Sequence, residues 1–115
     1  MNIDSVYYLD LVRSIALRLP ETVAATSYGS PSFKVRDKLF ARIKEDGKTL
    51  AIFTVERDKW IEAKPAVFFI TDHYLNYPMM LVNLKKADKK ELAQLIRASW
   101  KLRASKTVLK TYPEV

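Results

Sequence analysis

The stretch TSYGSPSFKVRDKLFAR, residues 26–42, decides the fold of this chain. It begins with a compact turn signal, Tyr28-Gly29 followed by Pro31, and continues into residues that alternate between cationic and apolar. Alternation with a period of two residues is typical of a β-strand that buries one face. The stretch therefore predicts a tight turn followed by a β-hairpin.

The chain beyond this hairpin adds a third strand. The strand-like runs follow one another with short connections at Arg36-Asp37 and Glu45-Asp46-Gly47. Short connections favour antiparallel neighbours. We therefore expect an antiparallel meander whose strands lie near Ser32–Arg36, Lys38–Lys44 and Thr49–Val55.

Two pairings of the hairpin are compatible with the sequence, and they place different side chains on one face. A two-residue turn at Arg36-Asp37 pairs Val35 with Lys38 and packs Phe33 against Phe40. A three-residue turn over 36–38 instead puts Phe40 on an exposed basic face. That face comprises Lys34, Phe40, Arg42 and Lys44. The first pairing indicates an ordinary half-buried hairpin, and the second indicates a strand-borne nucleic-acid surface.

Helices and shorter strands surround this meander. A first helix is capped by Asn2 or Asp4 and stops at Pro20, and residues 22–26 form either a short strand or a loop. The remaining elements are a helix at Glu56–Lys64, apolar strands at Val67–Ile70 and Met79–Leu84, a long helix from Asp88 and a last short helix from Ser105. They predict a single α+β domain over residues 1–115. Its antiparallel sheet is covered by helices in the order α-β-β-β-α-β-β-α, with a short C-terminal helix added.

Composition supports one folded domain and excludes several classes. A chain of 115 residues with 49% hydrophobic residues can bury a core of its own. The absence of cysteine excludes disulfides, thiolate metal sites and a cysteine nucleophile, and is typical of a reducing compartment. No apolar run has the length of a membrane helix, and the first residues lack a signal-peptide pattern. We therefore expect a cytoplasmic protein without a membrane partner.

The net charge of +7 is unevenly distributed along the chain. Residues 1–84 contain 11 Lys and Arg against 10 Asp and Glu, whereas residues 85–115 contain 9 against 3. The hairpin is also locally positive. Two basic regions therefore indicate an acidic partner.

The long helix carries two opposite stripes. A capping-box pattern at Asp88 and Glu91 marks its start, and the pattern runs to about Arg103. The stripe that we expect to be buried comprises Leu92, Leu95, Ile96 and Ser99, with Trp100 at its margin in the core. The stripe that we expect to face solvent comprises Lys90, Gln94, Arg97 and Lys101. An anionic partner would relieve the repulsion between Arg97 and Lys101, which lie four residues apart.

Three separated segments of this chain occur together in a known family. They are SYGSPSFKVRDKLFAR (27–42), VFFITDHYLNYPMMLV (67–82) and LIRASWKLRASKTV (95–108). Together they resemble the MmcQ/YjbR-like family. The resemblance implies a fold similar to that of type III secretion chaperones, and DNA binding by analogy with a double-wing domain. This sequence departs from the family at Arg36-Asp37, where relatives often carry glycine.

The loop TDHYLNYP, residues 71–78, gathers aromatic side chains that could line a ligand pocket. The candidate pocket residues are His73, Tyr74 and Tyr77. His73 is the only histidine, and no nucleophile motif accompanies it, so we predict no catalytic residue and no enzyme. One histidine without cysteine predicts no metal site. With only Gly29 and Gly47, phosphate-cradling glycine loops are excluded and no cofactor is expected.

The favoured interpretation is a weakly binding, largely sequence-nonspecific DNA-binding protein. Its contacts would come from the basic hairpin and from the long helix. The predicted nucleic-acid-binding residues are Lys34, Arg36, Lys38, Arg42, Lys44, Lys90, Arg97 and Lys101. The alternatives are a protein-interaction adaptor that uses an open sheet face or strand edge, and a small-ligand site at the aromatic loop. The sequence leaves the oligomeric state open.

Overall fold

The computed structural model describes residues 3–115, which form four α-helices and six β-strands. The helices are α1 (Ile3–Ala16), α2 (Arg57–Ala63), α3 (Lys89–Arg103) and α4 (Lys106–Thr111). The strands are β1 (Thr22–Ser27), β2 (Ser30–Val35), β3 (Lys38–Ile43), β4 (Thr49–Phe53), β5 (Phe68–Phe69) and β6 (Met79–Asn83). The α+β class and the predicted order are confirmed, and residues 22–26 are a strand. Asp4 lies in the first turn of α1, and the other predicted cap, Asn2, lies outside the described residues.

The six strands form one antiparallel sheet in the order β1-β2-β3-β4-β6-β5. The helices pack against a single face of this sheet, because one core cluster joins strand residues such as Phe33 and Ile52 to side chains from each described helix. Those helical side chains include Val12, Trp60, Leu95 and Val108. Burial of apolar surface here is the main contribution to stability. The opposite face carries a smaller cluster of Ala51, Tyr74 and Leu81, and a groove lies beside it on the same face.

Helix α3 begins and packs as its sequence predicts. The Asp88 side chain accepts a hydrogen bond from the Glu91 amide at 3.0 Å, which satisfies one free donor of the first turn. The predicted inner stripe is buried, and Trp100 is fully buried with its indole N–H donating to the Pro20 carbonyl at 3.0 Å. The predicted outer stripe is exposed.

Tight turns with left-handed residues join the first three strands. Tyr28 and Gly29 have φ angles of 53° and 76° between β1 and β2, and Arg36 has a φ angle of 54° between β2 and β3. Two-residue hairpin turns need this backbone because its twist matches that of the strands. The Arg36 amide donates to the Glu21 carbonyl at 2.9 Å, and its Nε lies 3.1 Å from the Glu21 carboxylate. These bonds hold the second turn without glycine.

The register of the β2–β3 hairpin changes along its length. Next to the turn Val35 pairs with Lys38, as predicted for a two-residue turn. A β-bulge follows, beyond which Phe33 pairs with Ala41. The predicted pairing of Phe33 with Phe40 is therefore wrong.

The two-residue turn decides which face Phe40 occupies. Leu39 pairs with Lys34 on the face away from the helices, so the next residue, Phe40, lies on the helical face and is fully buried. The prediction of an exposed Phe40 is therefore wrong. The bulge, which is one extra residue in β3, reverses the alternation beyond Phe40 and so returns Arg42 and Lys44 to the face of Lys34. These cations share a face as the three-residue turn predicted, although the turn itself has two residues.

Ser99 of α3 connects β3 and β4 where their ladder ends. The last pair of the ladder at this end is Ala41 with Ile52, and the residues just beyond that pair are Phe40 and Phe53. The buried Ser99 hydroxyl donates to the Phe40 carbonyl at 2.6 Å and accepts from the Phe53 amide at 2.9 Å. It thus replaces the missing bond between the strands.

Candidate functional site

The sheet face opposite the helices carries a groove of about 930 Å³. We call it the sheet-face groove, and the β1–β2 turn and the loop over 71–78 both border it. Its cationic lining comprises Lys34, Lys38, Arg42 and Arg103, and its aromatic lining comprises Tyr28, Phe53, His73, Tyr74 and Tyr77. The other lining residues are Ser27, Asp37, Leu39 and Met79. Cations and aromatic rings from distant segments therefore meet on one surface.

Arg42 is a recessed positive charge in the groove. The residue is only 8% exposed, and its guanidinium carbon lies 5.2 Å from the centre of the Tyr28 ring. Tyr28 is 84% exposed. The guanidinium also donates to the Glu45 carboxylate at 3.2 Å. Arg42 is thus held between an exposed ring and a carboxylate.

Lys44 lies beside the groove and continues this network. Its ammonium donates to the Tyr74 hydroxyl at 2.9 Å and lies 3.9 Å from the Glu45 carboxylate. The pKa of the Glu45 carboxyl is lowered first by a hydrogen bond from the backbone amide of Glu45 and then by the hydrogen bond from Arg42. The positive charge of Lys44 lowers it further. Glu45 is therefore ionised at neutral pH and partly neutralises both cations.

The remaining groove cations differ in their contacts within the protein. The Arg103 Nε donates to the Leu39 carbonyl at 2.9 Å, and its guanidinium carbon lies 4.3 Å from the centre of the Phe53 ring. Among the described residues, neither Lys34 nor Lys38 forms an ion pair with a carboxylate. These two lysines are therefore the cations most available to an anion.

The aromatic loop is anchored by Arg57, a residue that the sequence reading missed. The Arg57 guanidinium donates to three loop carbonyls, those of Leu75 at 2.6 Å, Tyr77 at 2.7 Å and Tyr74 at 2.9 Å, and to the carbonyl of Met79, the first residue of β6, at 3.2 Å. The helix dipole disfavours a cation in the first turn of a helix. The position of Arg57 in the first turn of α2 is therefore explained by its hydrogen bonds to the loop and not by the helix. In the sequence, the unfavourable positive charge at the start of this helix was the one sign that Arg57 has a tertiary role.

The three candidate pocket residues differ in burial. Tyr74 is buried against Ala51 and Leu81, whereas His73 and Tyr77 are exposed. The His73 ring contacts Tyr74 edge-on at 5.0 Å and lies 6.3 Å from Tyr77. Within residues 3–115 no hydrogen bond joins Asp72 to His73, and no cluster of three or more His, Asp or Glu could hold a metal ion.

The predicted binding cations of α3 do not line the groove, although Arg103 of the same helix does. Lys34, Lys38 and Arg42 line the groove, and Lys44 adjoins it. Arg36 pairs with Glu21 outside the groove lining. Lys90, Arg97 and Lys101 lie on the outer side of α3, and the helical layer and the sheet separate them from the groove. Arg97 donates to the Glu114 carbonyl at 3.2 Å.

The fold and groove define a class of protein: a small α+β domain whose antiparallel sheet is covered on one face and basic and aromatic on the other. The described residues contain no helix long and apolar enough to span a membrane. The chain belongs to the YjbR family, whose model matches residues 17–102.

Similar proteins support this membership and the fold. The chain is 30% identical over 98 residues to uncharacterized protein Rv2570 of Mycobacterium tuberculosis and to uncharacterized protein Mb2600 of Mycobacterium bovis. Each match covers 84% of this chain and 67% of the relative. The crystal structure of Deinococcus radiodurans protein DR2400, with family-model domain DUF419, superposes with a TM-score of 0.75 at 20% identity. That match covers 91% of this chain and 87% of the other, and it shows a common fold.

Proposed function

We propose that this domain is a nucleic-acid-binding module and not an enzyme, and that it contacts DNA phosphates through the sheet-face groove with little sequence preference. The observation that carries the proposal is charge: four cationic side chains line the groove against one carboxylate, Asp37. Lys and Arg contacts to phosphates supply affinity that is independent of sequence and sensitive to salt. A cytoplasmic location is part of the same proposal.

The groove supports this function better than the outer stripe of α3. In the groove, cations lie beside aromatic rings, as in the pair Arg42 and Tyr28 at 5.2 Å. Proteins that bind nucleic acids combine both kinds of side chain. The cations of the outer stripe of α3 lie on the helical side of the sheet, away from the groove. The proposal therefore retains the hairpin cations that line the groove and leaves out the outer stripe of α3.

A double variant, Lys34→Gln with Lys38→Gln, is expected to weaken DNA binding by about tenfold or more at low salt. Both lysines line the groove, and neither has a carboxylate partner among the described residues. The slope of log affinity against log salt concentration should fall by about 2, one unit for each lost phosphate contact. Fluorescence anisotropy with labelled single-stranded and duplex DNA across a salt series measures both quantities.

The matched control is Lys90→Gln with Lys101→Gln on the outer side of α3. It removes the same net charge from exposed lysines that likewise lack an ion pair among the described residues. It should leave affinity within about twofold of the parent. Equal losses in the two double variants would show that only net charge matters, and would overturn the proposed site.

Glu45→Gln is expected to strengthen DNA binding by about two- to fivefold. The Glu45 carboxylate lies 3.2 Å from Arg42 and 3.9 Å from Lys44, so it competes with a phosphate for both cations. Its lowered pKa keeps it ionised throughout the neutral range. The change should therefore show in affinities measured at neutral pH and low salt.

Glu62→Gln is the control for this change, because Glu62 is exposed on α2 and has no ion pair among the described residues. The Glu62 variant should bind like the parent. If both variants gain equally, the effect is one of net charge, and Glu45 has no special place beside the groove.

A further inference from the structure

We infer that the nucleic acid taken by the sheet-face groove is a single strand, with its phosphates on the recessed cations and its bases stacked on Tyr28 and Tyr77. This inference rests on the proposed function and specifies the ligand of that site.

The first observation is the exposure of these two rings at the groove. Tyr28 is 84% exposed and Tyr77 is 55% exposed, and both line the groove. The Arg42 guanidinium lies 5.2 Å from the centre of the Tyr28 ring, and the high exposure of the ring leaves its other side to solvent. An exposed ring backed by a cation is a stacking platform for a nucleobase.

The backbone of Tyr28 is the second observation. Its φ angle of 53° lies in the left-handed region, which strongly favours glycine or asparagine at this turn position. A tyrosine accepts steric strain there, and the ring gains no burial in return. Glu21 and Arg36 have similar φ angles of 58° and 54°, but their side chains pair with each other at 3.1 Å. The Tyr28 ring instead lies against the groove cation Arg42, so the strain favours a role for this ring at the groove.

The depth of the cations distinguishes a single strand from a duplex. Arg42 is 8% exposed and Lys34 is half-buried, so both cations are less accessible than the exposed rings. A duplex is a stiff convex rod, and proteins read it by inserting a projecting helix or ribbon into its groove. This site is a concave groove. A single strand is flexible enough to lower its phosphates into the groove and turn its bases onto the tyrosines.

The test compares the parent with the double variant Tyr28→Leu and Tyr77→Leu, which removes both rings and keeps apolar bulk. The probes are labelled oligothymidylate, an abasic strand of equal length and a duplex of equal length. We expect the variant to bind oligothymidylate about tenfold or more weakly and to bind the abasic strand like the parent. Tyr7→Leu is the control, since Tyr7 is 52% exposed on α1 and does not line the groove.

The outcomes separate this inference from the proposed function. If the duplex binds as tightly as oligothymidylate, or if the tyrosine variant weakens oligothymidylate and the abasic strand equally, base stacking is overturned. In that case a loss in the Lys34 and Lys38 double variant would still support phosphate binding. If no probe binds in a manner that depends on those lysines, the proposed function fails as well. Unchanged unfolding curves for the tyrosine variants exclude misfolding as the cause.

Discussion

Ser99→Ala is expected to lower the free energy of unfolding by about 2–4 kcal/mol and the melting temperature by about 10 °C or more. The Ser99 hydroxyl is the partner of the Phe40 carbonyl at 2.6 Å and of the Phe53 amide at 2.9 Å. Without the hydroxyl, a buried donor and a buried acceptor are left unsatisfied, and each costs about 1–3 kcal/mol. Urea or thermal unfolding monitored by circular dichroism measures the loss.

Ser14→Ala is the matched control for this substitution. The Ser14 hydroxyl also donates to a backbone carbonyl, that of Leu11 at 2.8 Å, but at an exposed position where water can replace it. Its unfolding free energy should stay within about 0.5 kcal/mol of the parent. A Ser99→Ala protein as stable as the Ser14→Ala protein would contradict the bridging role of Ser99 between β3 and β4.

Arg57→Met is expected to lower the free energy of unfolding by about 2–3 kcal/mol and to loosen the loop over 71–78. Methionine keeps the length of the side chain but cannot donate to the four carbonyls, three in the loop and one in β6, that accept from the guanidinium. Partial access of water to these carbonyls limits the loss. Hydrogen exchange should be faster at the Tyr77 and Met79 amides, which donate within this loop at 3.1 Å and 2.7 Å.

Two further variants separate geometry from charge at this position. Arg57→Lys keeps the positive charge but lacks the planar fork, so it should show most of the same loss. Arg18→Met removes an exposed arginine whose side chain has no hydrogen bond or ion pair among the described residues, and it should be close to neutral. Loop amides that exchange in Arg57→Met as slowly as in the parent would refute the anchoring role.

The link between Arg57 and binding follows from what the loop supplies. Tyr77 and His73 line the groove, and the guanidinium holds the backbone between them. We therefore expect Arg57→Met to weaken single-strand binding more than duplex binding, because it displaces a stacking ring while the phosphate-binding lysines stay in place.

The candidate site was only partly predictable from the sequence. The hairpin cations Lys34, Lys38 and Arg42 and the ring of Tyr77 were singled out, and the structure places them on one groove. The signals were local, namely charge alternation in a strand and a cluster of aromatic residues in a loop. Arg103 was missed because its position in the last turn of α3 is explained equally well by the helix dipole. Only its contacts with Leu39 and Phe53 reveal that it lines the groove.

The sequence by itself determined the α+β class, the capped helix α3 with its buried stripe, and the tight turn after β2. These features depend on interactions within a few residues, such as the Asp88 side chain with the Glu91 amide at 3.0 Å. Periodicity and capping are therefore visible in the order of amino acids.

The tertiary structure alone decided which face each hairpin residue occupies. Two registers satisfied the local pattern equally, and the observed hairpin combines the turn of one with the basic face of the other through a bulge. Phe40 is buried there under α3, with its carbonyl bonded to Ser99, 59 residues further along the chain. The same long-range packing put the outer stripe of α3 on the far side from the groove. Such contacts form only when distant segments pack together, which is why the stretch over 26–42 fixed the class of fold but not its binding surface.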